Sequence, residues 1–316
     1  MLGKIWLLVS LLGGLFLDVG STQAQVTRYR DLPRSLSFWG EGTQTNDCYS
    51  PDPATAVEGC TAIIGSWPKD ARGWMDRERT DAFNNRGVAY DRLGQMDRAL
   101  ADFEEALRVD PKNPFAFVNR AHIRLVQGDY NGALADYNRA LGSYNLVYYH
   151  TQGGWPWRTG TTRVFLDALP GRADTYVKLG QIDRAITDYN RAITENNRVG
   201  IYCYPAALIG RKNASILNSR GSAYAKKNDY ERAIADFSRA IEIAPDPIVF
   251  ANRGVAYVKA RQYGVAIRDL DEALKVNADD AVALYHRGVA RQNVGDAQGG
   301  TDDIVRARQI DPTIDP

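Results

Sequence analysis

Residues 80–113 read TDAFNNRGVAYDRLGQMDRALADFEEALRVDPKN, and residues 247–280 read PIVFANRGVAYVKARQYGVAIRDLDEALKVNADD. Aligned on Gly87, the same 34-residue frame recurs at 80–113, 114–147, 166–199, 214–246 (one residue short), 247–280 and 281–314. Self-similarity at a fixed period of this length marks an array of stacked supersecondary units. Position 8 of each unit is small: Gly87, Ala121, Ala173, Gly221, Gly254 and Gly288. Position 20 is small as well, from Ala99 through Ala133, Ala185, Ala233 and Ala266 to Gly300. Position 24 is large (Phe103, Tyr137, Tyr189, Phe237, Leu270, Ile304), and position 27 is always Ala. Small residues on two helices let their backbones approach closely, so each unit is expected to fold as a helix A and a helix B packed antiparallel. Gly94, Gly128, Gly180 and Gly295 at position 15 mark the turn between them, where a left-handed cap suits glycine. Asp110-Pro111 and Ala244-Pro245 mark the ends of helices B.

The small-x-x-Tyr runs Gly87-Val-Ala-Tyr90, Gly221-Ser-Ala-Tyr224 and Gly254-Val-Ala-Tyr257 resemble those of the tetratricopeptide repeat. That resemblance covers about two-thirds of the chain. It implies an all-α, right-handed solenoid of about six helix-turn-helix units at residues 80–316. It also implies a non-catalytic, protein-binding scaffold, with positions 2, 5, 6, 9, 12 and 13 of helix A lining a concave groove. The groove residues so implied are Asn84, Asn85, Asn119, Asn218 and Asn252, with the basic position 13 filled by Arg92, Lys178, Lys226 and Lys259. A carboxamide offers donor and acceptor together and suits the backbone of an extended peptide. The basic row favours an acidic peptide, unless it is only a solvated face. The carboxylate clamp of some family members is missing, since Val88, Asp167 and Gly171 stand at the matching places.

Position 7 is Arg in all six units (Arg86, Arg120, Arg172, Arg220, Arg253, Arg287), and position 23 is Asp in all six (Asp102, Asp136, Asp188, Asp236, Asp269, Asp303). The arginines form either a ligand-binding row or a set of ion pairs that register the helices. The equally regular acidic partner favours pairing across or between hairpins, bidentate where geometry allows.

The frame breaks at 148–165 and 200–213. These insertions carry Tyr148, Tyr149, Trp155, Trp157, Tyr202 and Tyr204. Both follow a helix B and so emerge on one edge, where their aromatic rings either pack into a flap or present a stacking surface to a sugar or peptide. Trp155 and Trp157 carry the alternative function, a glycan- or cell-wall-binding module. Pro170 and Gly171 fall where the other helices A are mid-stride, so that helix is expected to begin late, near Pro170. Gln298-Gly299-Gly300 makes the last helix B polar and weak, as an end cap would be. At the other end, residues 25–79 hold one helix-B-like pattern (Ala56, Val57, Cys60, Ile63, Ile64), read as a half-repeat cap; Leu36, Phe38 and Trp39 before it have no assigned place.

Lys4, the 13 apolar-run residues Ile5–Leu17, and Thr22 and Ala24 have the layout of a secretory signal peptide cut after Ala24. The run is shorter than the ~20 residues of a membrane span, so a periplasmic or secreted protein without an integral membrane segment is expected. Removing residues 1–24 takes away Lys4 and Asp18 and leaves the net charge at +1. A neutral balance gives no basic excess for nucleic acid. In an oxidising compartment Cys48 and Cys60, 12 residues apart, are expected to form a disulfide, and Cys203 is left over. His122, His150 and His286 are scattered. No metal spacing, nucleophile elbow or phosphate loop is present, so neither cofactor nor catalysis is expected.

Overall fold

A computed structural model describes residues 47–66, 74–150, 160–200 and 206–314; the side chains of 74–75, 143–150, 160–165, 198–200 and 206–208 are not described. The signal-like segment, Leu36, Phe38, Trp39, Trp155, Trp157, Tyr202, Cys203 and Tyr204 lie outside the described residues. The described residues form thirteen helices and no strand. Helix α1 (Pro53–Ser66) stands alone. The hairpins are α2 (Trp74–Arg92) with α3 (Met96–Val109), α4 (Pro114–Gln127) with α5 (Tyr130–His150), and α6 (Gly160–Lys178) with α7 (Ile182–Gly200). They continue as α8 (Ala206–Lys226) with α9 (Tyr230–Ile243), α10 (Pro247–Lys259) with α11 (Tyr263–Val276), and α12 (Ala281–Asn293) with α13 (Ala297–Ile310). Each helix B packs on its own helix A and on the next one, and consecutive helices A also touch. The chain is a helical solenoid.

The repeat positions act as their sizes dictate. Ala99, Ala133, Ala185, Ala233 and Ala266 are sealed from solvent, as are Phe103, Tyr137, Tyr189, Phe237 and Leu270. A Cβ on Gly221 would lie 2.8 Å from the Phe237 ring, and one on Gly254 would lie 2.7 Å from Leu270. Asn113, Asp246 and Asp280 cap α4, α10 and α12 by accepting backbone N–H bonds at 2.8–3.0 Å.

Position 15 is left-handed in every unit. Four are the glycines above; the others are Asn228 and Arg261, each at φ 60°. A side chain with Cβ in that region costs roughly 1–2 kcal/mol, least for Asn. Arg261→Gly is therefore expected to raise the melting temperature by about 2–4 °C; calorimetry showing no rise would mean that Arg261 makes a compensating contact.

Three expectations change. Helix α6 does not start at Pro170: it begins at Gly160 and carries the proline inside it. Proline removes one backbone bond, but the residues before it gain burial, since Leu166, Ala168 and Leu169 are all sealed in the core. The insertions are likewise not wholly loops. Their described parts extend α5, α6, α7 and α8 to 19–21 residues, against 13 or 14 in α9–α13. Tyr148 and Tyr149 lie on the end of α5. The extensions are tied together by Lys212 donating to Asp167 at 2.6 Å and by an amide chain, Asn196 to Asn213 (2.9 Å) and Asn213 to Asn197 (2.7 Å). The last helix B is a regular 14-residue helix, not a weak one. Its glycine lets it approach α12 closely: a Cβ on Gly300 would lie 2.7 Å from the Gly288 carbonyl oxygen.

Cys48 and Cys60 are joined, with Cα atoms 4.4 Å apart. The bridge fastens the segment before α1 to the face of α1 that packs on α2. Gly59 admits it, because a Cβ there would sit 2.5 Å from the Cys48 nitrogen.

Candidate functional site: the helix-A face

All six arginines at position 7 form bidentate pairs with the aspartate at position 23 of their own hairpin. Nε and Nη2 donate to the two carboxylate oxygens at 2.6–2.8 Å. The pairs lie within hairpins rather than between them. Asp136 is fully buried and takes a further bond from Arg124 at 2.7 Å.

The link between units is made elsewhere, at a position the sequence did not single out. The remaining Nη1 of Arg86, Arg172, Arg220, Arg253 and Arg287 donates backward to Thr61, Asn138, Asn190, Ser238 and Asp271 at 2.6–3.1 Å. These acceptors occupy position 25 of the preceding helix B. The charge of Glu104, at the same position, acts on Arg120. The signal was available, since position 25 carries an oxygen in each case. Unit six has Val305 there, 49% exposed. With three donors committed to the scaffold in five of them and two in Arg120, the arginines are registration residues and not a ligand row.

The carboxamides are brought together in a way that helix spacing alone did not reveal. Asn119 donates to Asn84 at 2.8 Å, and Asn252 donates to Asn218 at 2.9 Å. In both, position 6 of one helix A reaches position 5 of the previous one. Such a bond engages one donor and one acceptor and leaves each amide further capacity. Unit three breaks the row with Gly171, where a Cβ would overlap the Tyr137 hydroxyl. Asn85 hydrogen-bonds the Tyr49 side chain, whose pKa is raised by burial and by Asp81 and Glu78.

The basic residues of position 13 end the helices A: Arg92, Lys178, Lys226 and Lys259 close α2, α6, α8 and α10. Burial and the neighbouring Lys226 charge lower the pKa of Lys178. Burial and Lys259 hold His286, at position 6 of unit six, at about 4, so its ring is neutral at physiological pH. His286 Nδ1 is shielded from solvent without a hydrogen-bond partner. Burial also raises the Asp81 and Asp91 carboxyls. Among the described residues no group of three His, Cys, Asp or Glu is placed to hold a metal ion, and no helix is long and apolar enough to cross a membrane.

With this geometry, the family comparison is decisive. The tetratricopeptide-repeat description matches residues 80–113 and 214–247, and related models of the same repeat match 171–198 and 252–293. The chain carries tetratricopeptide repeats. Solved structures agree on the fold. Pseudomonas aeruginosa pilF is 16% identical, with a TM-score of 0.58 over 76% of this chain and 95% of that one. PilW, a type IV pilus biogenesis factor, is 16% identical with a TM-score of 0.57 over 77% and 97%. A tetratricopeptide-repeat protein of Parabacteroides merdae is 18% identical with a TM-score of 0.53 over 85% and 91%. No curated protein matches the sequence.

Proposed function

We propose that this tetratricopeptide-repeat protein is a non-catalytic scaffold that holds an extended, acidic segment of a partner protein on its helix-A face, and that it works in the cell envelope. The observation that carries the binding site is the paired carboxamides at Asn84–Asn119 and Asn218–Asn252. The pairing holds two of these amides at fixed spacing on neighbouring helices A, which pre-organises polar groups that a peptide backbone can bond. The lysines at the ends of α6, α8 and α10 support an acidic partner. The envelope location rests on the layout of residues 1–24 and on the Cys48–Cys60 bridge, which suits an oxidising compartment.

The test places a photo-crosslinking residue at Ser222, position 9 of unit four on α8, and exposes the protein to an extract of the source cells. Wild type is expected to yield a crosslinked segment that maps to one partner. The folded Asn85→Ala/Asn119→Ala/Asn252→Ala variant is expected to lose most of it. A crosslink that persists in that variant and disappears with Trp155→Ala/Trp157→Ala would move the site to the 148–165 insertion and overturn the groove reading.

A further inference from the structure

Resting on that reading, we propose that the helix-A face is polarised along its length, so that the bound segment lies with a basic stretch over unit one and an acidic stretch over units four and five. Unit one places Asp81 and Asp91 at positions 2 and 12, with Arg92 beside the latter. Asp81 feels the further carboxylates of Glu78 and Asp110 as well as Arg77. Asp91 faces His122 and Arg92. Both carboxyls are raised chiefly by burial, and a cation brought by a partner favours their charged forms.

The other end has the opposite character. Units four to six carry no carboxylate at any of positions 2, 5, 6, 9, 12 and 13. Their charges there are Lys226 and Lys259. Lys226 is near enough to disfavour the charge on Lys178, and Lys259 to disfavour it on His286. Lys178 and Lys226, from consecutive units, thus stand beside one another, and a carboxylate seated between them relieves the repulsion. In unit three, between the two ends, Asp167 is bonded by Lys212 at 2.6 Å and Asp174 accepts a bond from the Tyr189 hydroxyl.

A uniformly acidic segment would meet Asp81 and Asp91 at one end. A segment with separated blocks of charge matches both ends, and the mismatch discriminates against the wrong partner more than the match adds affinity. Consecutive helices A lie roughly 10 Å apart, so units one to five span roughly 40 Å, a length that about twelve extended residues cover.

The experiment uses labelled synthetic peptides of that length and identical composition, with lysines and glutamates either in two end blocks or alternating, plus an uncharged control. Binding is measured by fluorescence anisotropy at low salt. The block peptide is expected to bind about tenfold more tightly than the alternating one, and the advantage is expected to vanish in Lys226→Glu/Lys259→Glu and at high salt. Equal binding of block and alternating peptides, lost in the Asn85/Asn119/Asn252 variant, overturns the polarity and leaves the helix-A site standing. Binding of no peptide at all, the uncharged control included, overturns both.

Discussion

Asp236→Ala is expected to lower the melting temperature by roughly 5–10 °C. Asp236 is buried and receives two charge-assisted bonds from Arg220, at 2.6 and 2.7 Å. Deleting one member leaves a largely desolvated guanidinium with a single neutral acceptor, Asn190. The loss of a buried partner costs about 3 kcal/mol or more, and each kcal/mol moves the midpoint by about 2–4 °C in a large domain. Because Arg220 joins units three and four, faster amide exchange is expected in α7 as well as in α8 and α9. The double change Arg220→Met/Asp236→Leu is expected to recover much of the loss, since it removes both charges. An unchanged melting curve for Asp236→Ala would mean that the pair contributes nothing.

The second large effect is steric. Gly171→Ala is expected to destabilise the protein by about 1–3 kcal/mol, although alanine is the better helix former. The added Cβ would overlap the Tyr137 hydroxyl, and that ring is sealed in the core and cannot swing away. Tyr137→Phe removes the clashing oxygen and is expected to restore part of the stability to the double variant. Gly142→Ala provides the internal standard. Nothing lies within 4 Å of its Cβ position, so the same chemical change there is expected to stabilise by about 0.5–1 kcal/mol. Equal melting points for the two alanine variants would remove the Tyr137 contact from the argument.

These two sites show what the sequence made legible. A strict repeat reveals any position whose residue type is invariant, and so the Arg–Asp pairs, the small seam and the helix hairpins were all readable. Position 25 escaped notice because Thr61, Asn138, Asn190, Ser238 and Asp271 differ in type and share only an oxygen that accepts a bond. Arg261 escaped for the complementary reason: its left-handed backbone is dictated by the turn, against its own preference. Pro170 misled because a local rule about helix starts was set against the burial of Leu166 and Leu169, and tertiary packing won. The carboxamides were read as groove residues, but their bonds to one another depend on the offset between neighbouring helices, which no single unit encodes.

Val305 gives the scaffold a direction of growth. Five arginines in the row bond back to an oxygen on the helix before them, and Arg120 feels the charge of Glu104 at the same position, whereas unit six offers a hydrocarbon there. A duplicated hairpin inserted anywhere upstream would find its docking chemistry ready on both sides. The same hairpin appended after α13 would bring a guanidinium against a valine and bury one of its donors without an acceptor. Lengthening this protein by gene duplication or by design therefore works from within, and extension from the α13 side first requires Val305 to become asparagine, serine or aspartate.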